Sequence, residues 1–431
     1  MRLLIKGGQV IDPGKNINTK QDILIENGRI AAMERSIETE ADQVIDAREK
    51  VVCPGFIDIH VHLREPGFEY KEDIATGTRA AAVGGFTTVC CMPNTRPVID
   101  NYAVASFVRE KAKTTGLVNV LPIGAITKKQ EGQEISEIAD LIRAGCVAIS
   151  DDGRPVSRAD VMLNAMEYSK MFGLPILSHC EDLDLSRDGQ MHLGYYSTIL
   201  GLRGVPAEAE EVMVARDILL SRLAEAHLHI CHASSRGTLE MVRRAKEEGL
   251  MVTCEVTPHH LALTDEMVEG YNTNAKVNPP LRSQEHREAL KEALQAGVID
   301  CIATDHAPHH RDSKDCEFSL ATSGISGLET AVPVVMDRLV KTGVISLNKM
   351  VELFTSGPAR VLGLNKGHLS LGELADITII DPHKEKKVET RTFYSKGKNN
   401  PFQGMKLKGW PYMTIVGGII VAEDGKISNI R

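Results

Sequence analysis

Val51-Val52-Cys53-Pro54-Gly55-Phe56-Ile57-Asp58-Ile59-His60-Val61-His62-Leu63-Arg64-Glu65-Pro66-Gly67 is an apolar run that ends abruptly in polar and charged side chains. Side chains two residues apart on a strand share a face, so His60 and His62 present their imidazoles side by side. Two imidazoles converging at a strand end make half of a divalent-metal site. A lone His-x-His is more often a satisfied polar pair at a strand terminus. Here Arg64 follows at the next in-phase position, and Pro66-Gly67 then turns the chain.

Working outward, short β-rich runs alternate with segments of helical period. The runs span residues 51–60, 86–92, 118–126, 146–150, 176–180, 227–232, 251–257 and 299–304. Between them lie apolar residues at i, i+3, i+4 spacing, as in Val104/Phe107/Val108, Val212/Ala215/Ile218/Leu219 and Ala289/Leu290/Ala293/Leu294. Gly84-Gly85, Gly145, Gly249 and Gly297 stand where helices should stop before the next strand. Eight such units in succession predict an α/β protein, a (β/α)8 TIM barrel. An open doubly wound sheet is the alternative, but no Gly-x-Gly-x-x-Gly follows the first strand. The barrel is expected over residues 54–365. Residues 1–53 and 366–431 share a strand-and-turn texture and are expected to pair into a small β-sandwich built from both termini.

Composition narrows the function. The net charge of −8 and the absence of any Lys/Arg run exclude a nucleic-acid-binding surface. No apolar stretch approaches the ~20 residues that cross a bilayer, so no membrane association is expected. The nine cysteines are an odd number, and most lie inside apolar runs. That usage fits free thiols in a reducing, cytoplasmic compartment.

Barrel enzymes keep their chemistry at the C-terminal strand ends. Here those ends read His60/His62, Met92-Pro93-Asn94, Ser150-Asp151-Asp152-Gly153, Ser178-His179-Cys180-Glu181, Cys231-His232 and Thr304-Asp305-His306. Four histidine-bearing ends with carboxylates suit zinc or another divalent metal. The ligand count suits two metals sharing a carboxylate and a water, with a second carboxylate to shuttle a proton. The chemistry implied is hydrolysis of an amide-like bond, or its reversal. Alternation alone does not choose between Asp151 and Asp152. His227 and His229 read as barrel-wall residues, His259-His260 as substrate-side or structural, and His192, His286, His368 and His383 as surface residues.

His60-x-His62-Leu63-Arg64-Glu65-Pro66-Gly67, Met92-Pro93-Asn94-Thr95, Ser150-Asp151-Asp152-Gly153, Ser178-His179-Cys180-Glu181, Asn278-Pro279-Pro280-Leu281-Arg282 and Thr304-Asp305-His306-Ala307-Pro308-His309 together resemble the type I dihydroorotases of the amidohydrolase superfamily. The likeness extends to Glu373-Leu374-Ala375-Asp376. It implies reversible, zinc-dependent cyclisation of N-carbamoyl-L-aspartate to L-dihydroorotate in pyrimidine biosynthesis. By matching motif, His60, His62 and Asp305 would hold one zinc and His179 and His232 the second. Asp152 would bridge the two with a water or hydroxide, in place of the carboxylated lysine of many superfamily members. Asp305 would be the catalytic acid/base. Arg64, Asn94 and His309 would grip the substrate carboxylate, His62 and Asn278 would flank the ring, and the backbone N–H groups of Ser323 and Gly324 would bond it. One departure is visible: Thr322-Ser323-Gly324 stands where the family commonly has Pro-Phe-Gly.

Three readings compete. A hydantoinase, dihydropyrimidinase or allantoinase would act on substrates without the ring carboxylate, so Arg64 and Asn94 discriminate. An inactive scaffold subunit would be expected to lack ligands, whereas all six are present. The partners implied are the small-molecule substrate, a second copy in a homodimer, and aspartate carbamoyltransferase. Residues 307–326, which carry no sustained period, are expected to form a lid or substrate wall rather than a surface insertion.

Overall fold

The apolar run that opens the chain's first histidine pair is not one strand. In this computed structural model, which describes residues 1–428, it divides at Gly55 into Val51–Pro54 and Phe56–Val61. A Cβ on Gly55 would lie 2.7 Å from that of Thr87, so the backbone passes Thr87 only as glycine. The last three residues of the expected 366–431 segment lie outside the described residues.

Phe56–Val61 is the first of eight parallel ring strands, continued by Phe86–Cys91, Asn119–Pro122, Ile149–Ser150, Ile176–Ser178, Leu228–Ile230, Val252–Val256 and Cys301–Ile302. Each expected β run overlaps one of them. Neighbours pair in order. Single parallel bridges, Gly124–Ile149 and Val61–His306, join the third to the fourth and the eighth back to the first. The pairings therefore complete a circuit, which leaves no strand edge to template association.

Alternation sorts the strand residues into two layers. Ile57, Ile59, Cys90, Met92, Ile123, Ala148, Leu177, Cys231, Cys301 and Ala303 pack together in one cluster. Their neighbours Val89, Cys91, Ile149, Ile176, Leu228, Ile230, Cys254, Val256 and Ile302 pack with the helices in a larger one. Side-chain caps start several helices: Asp73 accepts from Thr76 N, Asn101 from Val104 N and Ser235 from Thr238 N. Gly145 and Gly297, at φ +97° and +75°, take the left-handed conformation that stops them.

Helical spacing was a poorer guide to which face is buried. Ala289, Leu290, Ala293 and Leu294 are buried as a set. In Glu208–Ala224, however, Val212 and Leu219 are exposed, while the carboxylates of Glu210 and Asp217 turn inward. Each has a strand-end partner that apolar periodicity does not register. Asp217 accepts from Ser178 Oγ at 2.7 Å, and Glu210 accepts from Ser234 N at 3.0 Å and faces Arg282 at 3.5 Å. His192, expected on the surface, is buried beside Arg282 for the same reason.

The two termini share a sheet, as expected, and its nine strands are hydrogen-bonded in one continuous order. Its order is Arg29–Glu34, Ile17–Glu26, Arg2–Asp12, Val51–Pro54, Ile377–Lys387, Lys406–Val416, Ile419–Glu423 and Lys426–Ile427, with Gln43–Asp46 also pairing Arg2–Asp12. Continuity comes from Val51–Pro54. It pairs in parallel with Arg2–Asp12 on one side and antiparallel with Ile377–Ile380 on the other, which fuses the two terminal halves. Leu3, Ile5, Val10, Ile23, Ile377, Ile379 and Ile415 form this sheet's own core. All nine cysteines are free thiols, eight of them buried. Among the described residues, no helix is long and apolar enough to cross a membrane.

Glu329 is buried against the 395–400 segment, where it accepts from Ser395 N at 3.1 Å. Burial pushes its carboxyl up to about 8, and the Ser395 N–H only partly offsets this. Below pH 4.5 both folded and unfolded chains hold this proton. Between 4.5 and about 8 only the folded state does, so this residue lowers stability as pH rises through that window. Glu329→Gln should flatten that part of the slope. Urea unfolding of both proteins at pH 5 and pH 8 checks it, and equal pH dependence in the two would refute it.

Candidate active site

Six side chains from five ring-strand ends converge at one mouth of the ring. His60, His62, Asp152, His179, His232 and Asp305 are all buried there. Asp152 is the hub. Its Oδ1 lies 3.3 Å from His60 Nε2 and 3.4 Å from both His179 Nδ1 and His232 Nε2, and its Oδ2 lies 3.4 Å from His62 Nε2. Asp305 Oδ1 is 3.1 Å from His62 Nε2 and 3.6 Å from His60 Nε2. Asp151 faces elsewhere, accepting from Ile126 N, Thr127 N and Thr127 Oγ1. The choice that alternation left open falls on Asp152 geometrically.

Local backbone explains how consecutive residues reach the same space. Cys231 belongs to the inner cluster, so strict alternation would turn His232 outward. His232 instead sits at φ +33° and swings back in, and Asp305 does likewise at φ +46°. Positive φ is uncommon for such residues, and both cases fall in this cluster.

The electrostatics are those of a proton-filled ligand set. Burial would raise the Asp152 carboxyl, but the charge of His60 and the imidazoles of His179 and His232 hold it well below the usual range. Burial also opposes the charge on Asp305, yet the His62 hydrogen bond and the neighbouring histidines bring it to about 2. His179 would be depressed by burial, but Asp152 and Glu181 lift it to about 10. His60 Nε2 is buried and makes no hydrogen bond among the described residues. His60, His62 and Asp305 form one group whose ligand atoms could hold a metal ion, and His60, Asp152 and His232 form another. Imidazole nitrogens with carboxylate oxygens are the donor set of zinc and similar divalent metals.

The ligand rings are held from behind. His62 Nδ1 is 2.9 Å from Asn94 Oδ1, His179 Nε2 is 3.0 Å from Glu181 Oε2, and His60 Nδ1 is 2.6 Å from Glu255 Oε1. Sequence reasoning gave Glu181 and Glu255 no role. For Glu255 the signal was there: a carboxylate inside the otherwise apolar-to-neutral strand Val252-Thr253-Cys254-Glu255-Val256.

Beyond the cluster a cavity opens, lined by His62, Arg64, Asn94, Asn278, Asp305, His309, Ser323 and Gly324 among others. Arg64 is held by Pro308 O at 3.3 Å and stands 3.4 Å from His309 Nε2. Burial lowers its guanidinium only to about 10, so it remains a cation. Among the described residues no carboxylate lies within ion-pairing distance of it. His309 is pushed down to about 2 by burial and by Arg64, so it is neutral, and its Nε2 donates to Ser323 O at 2.8 Å. Asn278 donates one N–H to Glu181 at 2.9 Å.

One expectation is corrected. The Gly324 N–H does not point free to the ring position, because it donates to Lys276 O at 2.9 Å. Gly324 contributes its shape instead: at φ +142°, a Cβ there would approach Ala307 O to 2.6 Å. The 307–326 segment is anchored as a wall. Lys276 Nζ donates to Phe318 O, and Lys314 Nζ donates to Thr273 O. His229 is buried and reaches Glu255, whereas His260 is tied to Thr257 and Pro279 O.

Residues 49–238 match a family model described as Dihydro-orotase-like. A dihydroorotase of Pelotomaculum thermopropionicum is 54% identical over 424 residues, covering 98% of this chain and 99% of its own. One from Acetivibrio thermocellus is 52% identical over 422 residues, with the same coverage. Among solved structures, an L-hydantoinase (dihydropyrimidinase) from Arthrobacter aurescens superposes with a TM-score of 0.91 at 28% identity. It covers 99% of this chain and 97% of its own.

Because a metal must displace the protons that His60 and His179 hold so firmly, zinc uptake should release protons and tighten as pH rises. Chelator-competition titrations at pH 6 and pH 8 should give the higher affinity at pH 8. Affinity that is equal or lower there would contradict the ligand assignment.

Proposed function

The chain belongs to the dihydroorotase family, and from that premise we propose that its ring-mouth site interconverts N-carbamoyl-L-aspartate and L-dihydroorotate in de novo pyrimidine (UMP) biosynthesis. Arg64 carries the reading: a half-buried cation on the cavity wall without an anionic partner is a receptor for a carboxylate. Hydantoins and dihydropyrimidines of the rival class bring no such group to that position. Incubating purified, zinc-supplied protein with dihydroorotate and with dihydrouracil tests it. Faster turnover of dihydrouracil would overturn the reading.

In this reading the ring is a (β/α)8 barrel of residues 54–365, with residues 1–53 and 366–431 forming the second domain. The protein acts in the cytoplasm and pairs as a homodimer. It also contacts aspartate carbamoyltransferase, which co-elution of the two proteins would test. His60, His62 and Asp305 would hold one zinc, His179 and His232 the other, with Asp152 between them; its hub position supports that division. When bound, such a pair acidifies a shared water and polarises the carbonyl to be attacked.

The chain's own groups do the rest. Asp305 faces His62 with Oδ1, which leaves Oδ2 to carry a proton. In ring opening Oδ2 receives the proton of the attacking water and passes it to the departing ring nitrogen. In closure it takes the proton from the carbamoyl nitrogen as that atom attacks the carboxyl carbon, and passes it to the departing carboxyl oxygen, which leaves as hydroxide. Arg64 fixes the other carboxylate, so the reacting atoms meet in one orientation. Asn94 holds His62 with its oxygen and keeps its N–H groups for the substrate. Neutral His309 packs beside Arg64 without adding charge, and Asn278, Ser323 and Gly324 shape the ring's berth.

Asp305→Asn keeps size and one oxygen but accepts no proton at neutral pH. Its kcat should fall ~10²–10⁴-fold. Near-native kcat at unchanged metal content would remove Asp305 from this role. Arg64→Met should cost about 2–5 kcal/mol in kcat/KM for dihydroorotate and far less for dihydrouracil. Its melting temperature should not fall, since the substitution removes a half-buried charge that has no carboxylate partner. Equal losses on both substrates, or a clear drop in melting temperature, would make Arg64 structural.

A further inference from the structure

We propose that Glu255, on the side of His60 away from the cavity, is the positioning residue of the metal centre, and that His229 holds it in place. The inference rests on the dihydroorotase reading in taking His60, His232, Asp152 and Asp305 as ligands of two divalent metals.

Glu255 is fully buried on the seventh ring strand. Both of its oxygens are engaged. Oε1 accepts from His60 Nδ1 at 2.6 Å and from the backbone N–H of His232 at 3.2 Å, and Oε2 accepts from His229 Nε2 at 3.3 Å. One carboxylate thus grips a ligand ring from the first strand and the backbone of a ligand from the sixth. Isolated carboxylates are costly to bury, and one as fully satisfied as this has a reason to be there.

That reason is tautomer selection. A neutral imidazole carries a single N–H. With a carboxylate at Nδ1, the proton of His60 stays on Nδ1 and the lone pair of Nε2 is turned toward Asp152. Nε2 is the buried nitrogen left without a hydrogen bond. Glu255 also supplies charge. Two divalent cations bring four positive charges, Asp152 and Asp305 return two, and Glu255 adds a third immediately behind His60.

The support behind Glu255 has a consistent direction. His229 Nε2–H donates to Glu255, so its Nδ1 is an acceptor, 2.8 Å from Thr253 Oγ1. Thr253 then donates to His229 and accepts from His227 Nε2 at 3.0 Å. The histidines that read as plain wall residues form a strut under the metal centre.

Zinc affinity, measured by chelator competition without turnover, tests this on wild-type protein, Glu255→Gln and His229→Gln, each verified as folded by near-ultraviolet circular dichroism. Glu255→Gln is expected to bind zinc about 10–100-fold more weakly. His229→Gln, which retains a donor toward Glu255, should lose less than Glu255→Gln does. Wild-type affinity in folded Glu255→Gln overturns the proposal, as does a greater loss in His229→Gln. If Glu255→Gln does not fold, a structure of zinc-loaded wild-type protein decides. Coordination through His60 Nε2 with Glu255 on Nδ1 supports the assignment, and coordination through Nδ1 overturns it. Failure of wild-type protein to turn over dihydroorotate would sink the functional reading and leave these affinities interpretable.

Discussion

A carboxylate surrounded by four imidazoles is the constraint around which this molecule is arranged. Asp152 and its neighbours cannot stay buried together unless their charges balance, either by protons or by metal. The six side chains come from five strand ends, so holding them together requires strand ends that do not drift. The ring supplies that by closing on itself. The acceptors behind three of the rings, Asn94 at His62, Glu181 at His179 and Glu255 at His60, then set which nitrogen of each of these faces inward. Rigidity at the mouth is a property of the whole circuit more than of any one strand.

Much of this was legible in the residues. The strand runs, the stop signals and the ligand-bearing strand ends could all be read from local pattern, because alternation and helix capping are local physics. Asp151 and Asp152 show where local reading stops. They differ only by one step of a short strand, and the partners that separate them, Ile126 and Thr127, lie on another loop. His232 shows the same limit from the other side. Its inward turn needs a positive φ that no periodicity announces. Glu255 and the inward carboxylates Glu210 and Asp217 were missed because buried polar residues look like surface residues until their partners are known.

The wall beside the substrate illustrates how one substitution in a pattern can be absorbed. Serine stands at 323 where the family commonly carries an aromatic ring, yet its carbonyl still accepts from His309, and Gly324 still passes close to Ala307. The wall is set by backbone contacts and by two lysines that bind main-chain oxygens, Lys276 and Lys314. Side-chain identity at 323 can change while the backbone route is kept.

The short strand Val51–Pro54 has a consequence in time as well as in space. Its antiparallel partner begins at Ile377, so the amino-terminal half of that sheet lacks its neighbour while more than 300 residues are still to be made. At 5–20 residues per second, translation of that interval takes roughly 15–65 s. Throughout it, an apolar strand edge stands open on the nascent chain, at the stage when chaperones matter most. Synthesis of the carboxy-terminal strands is what lets the first fifty residues finish folding.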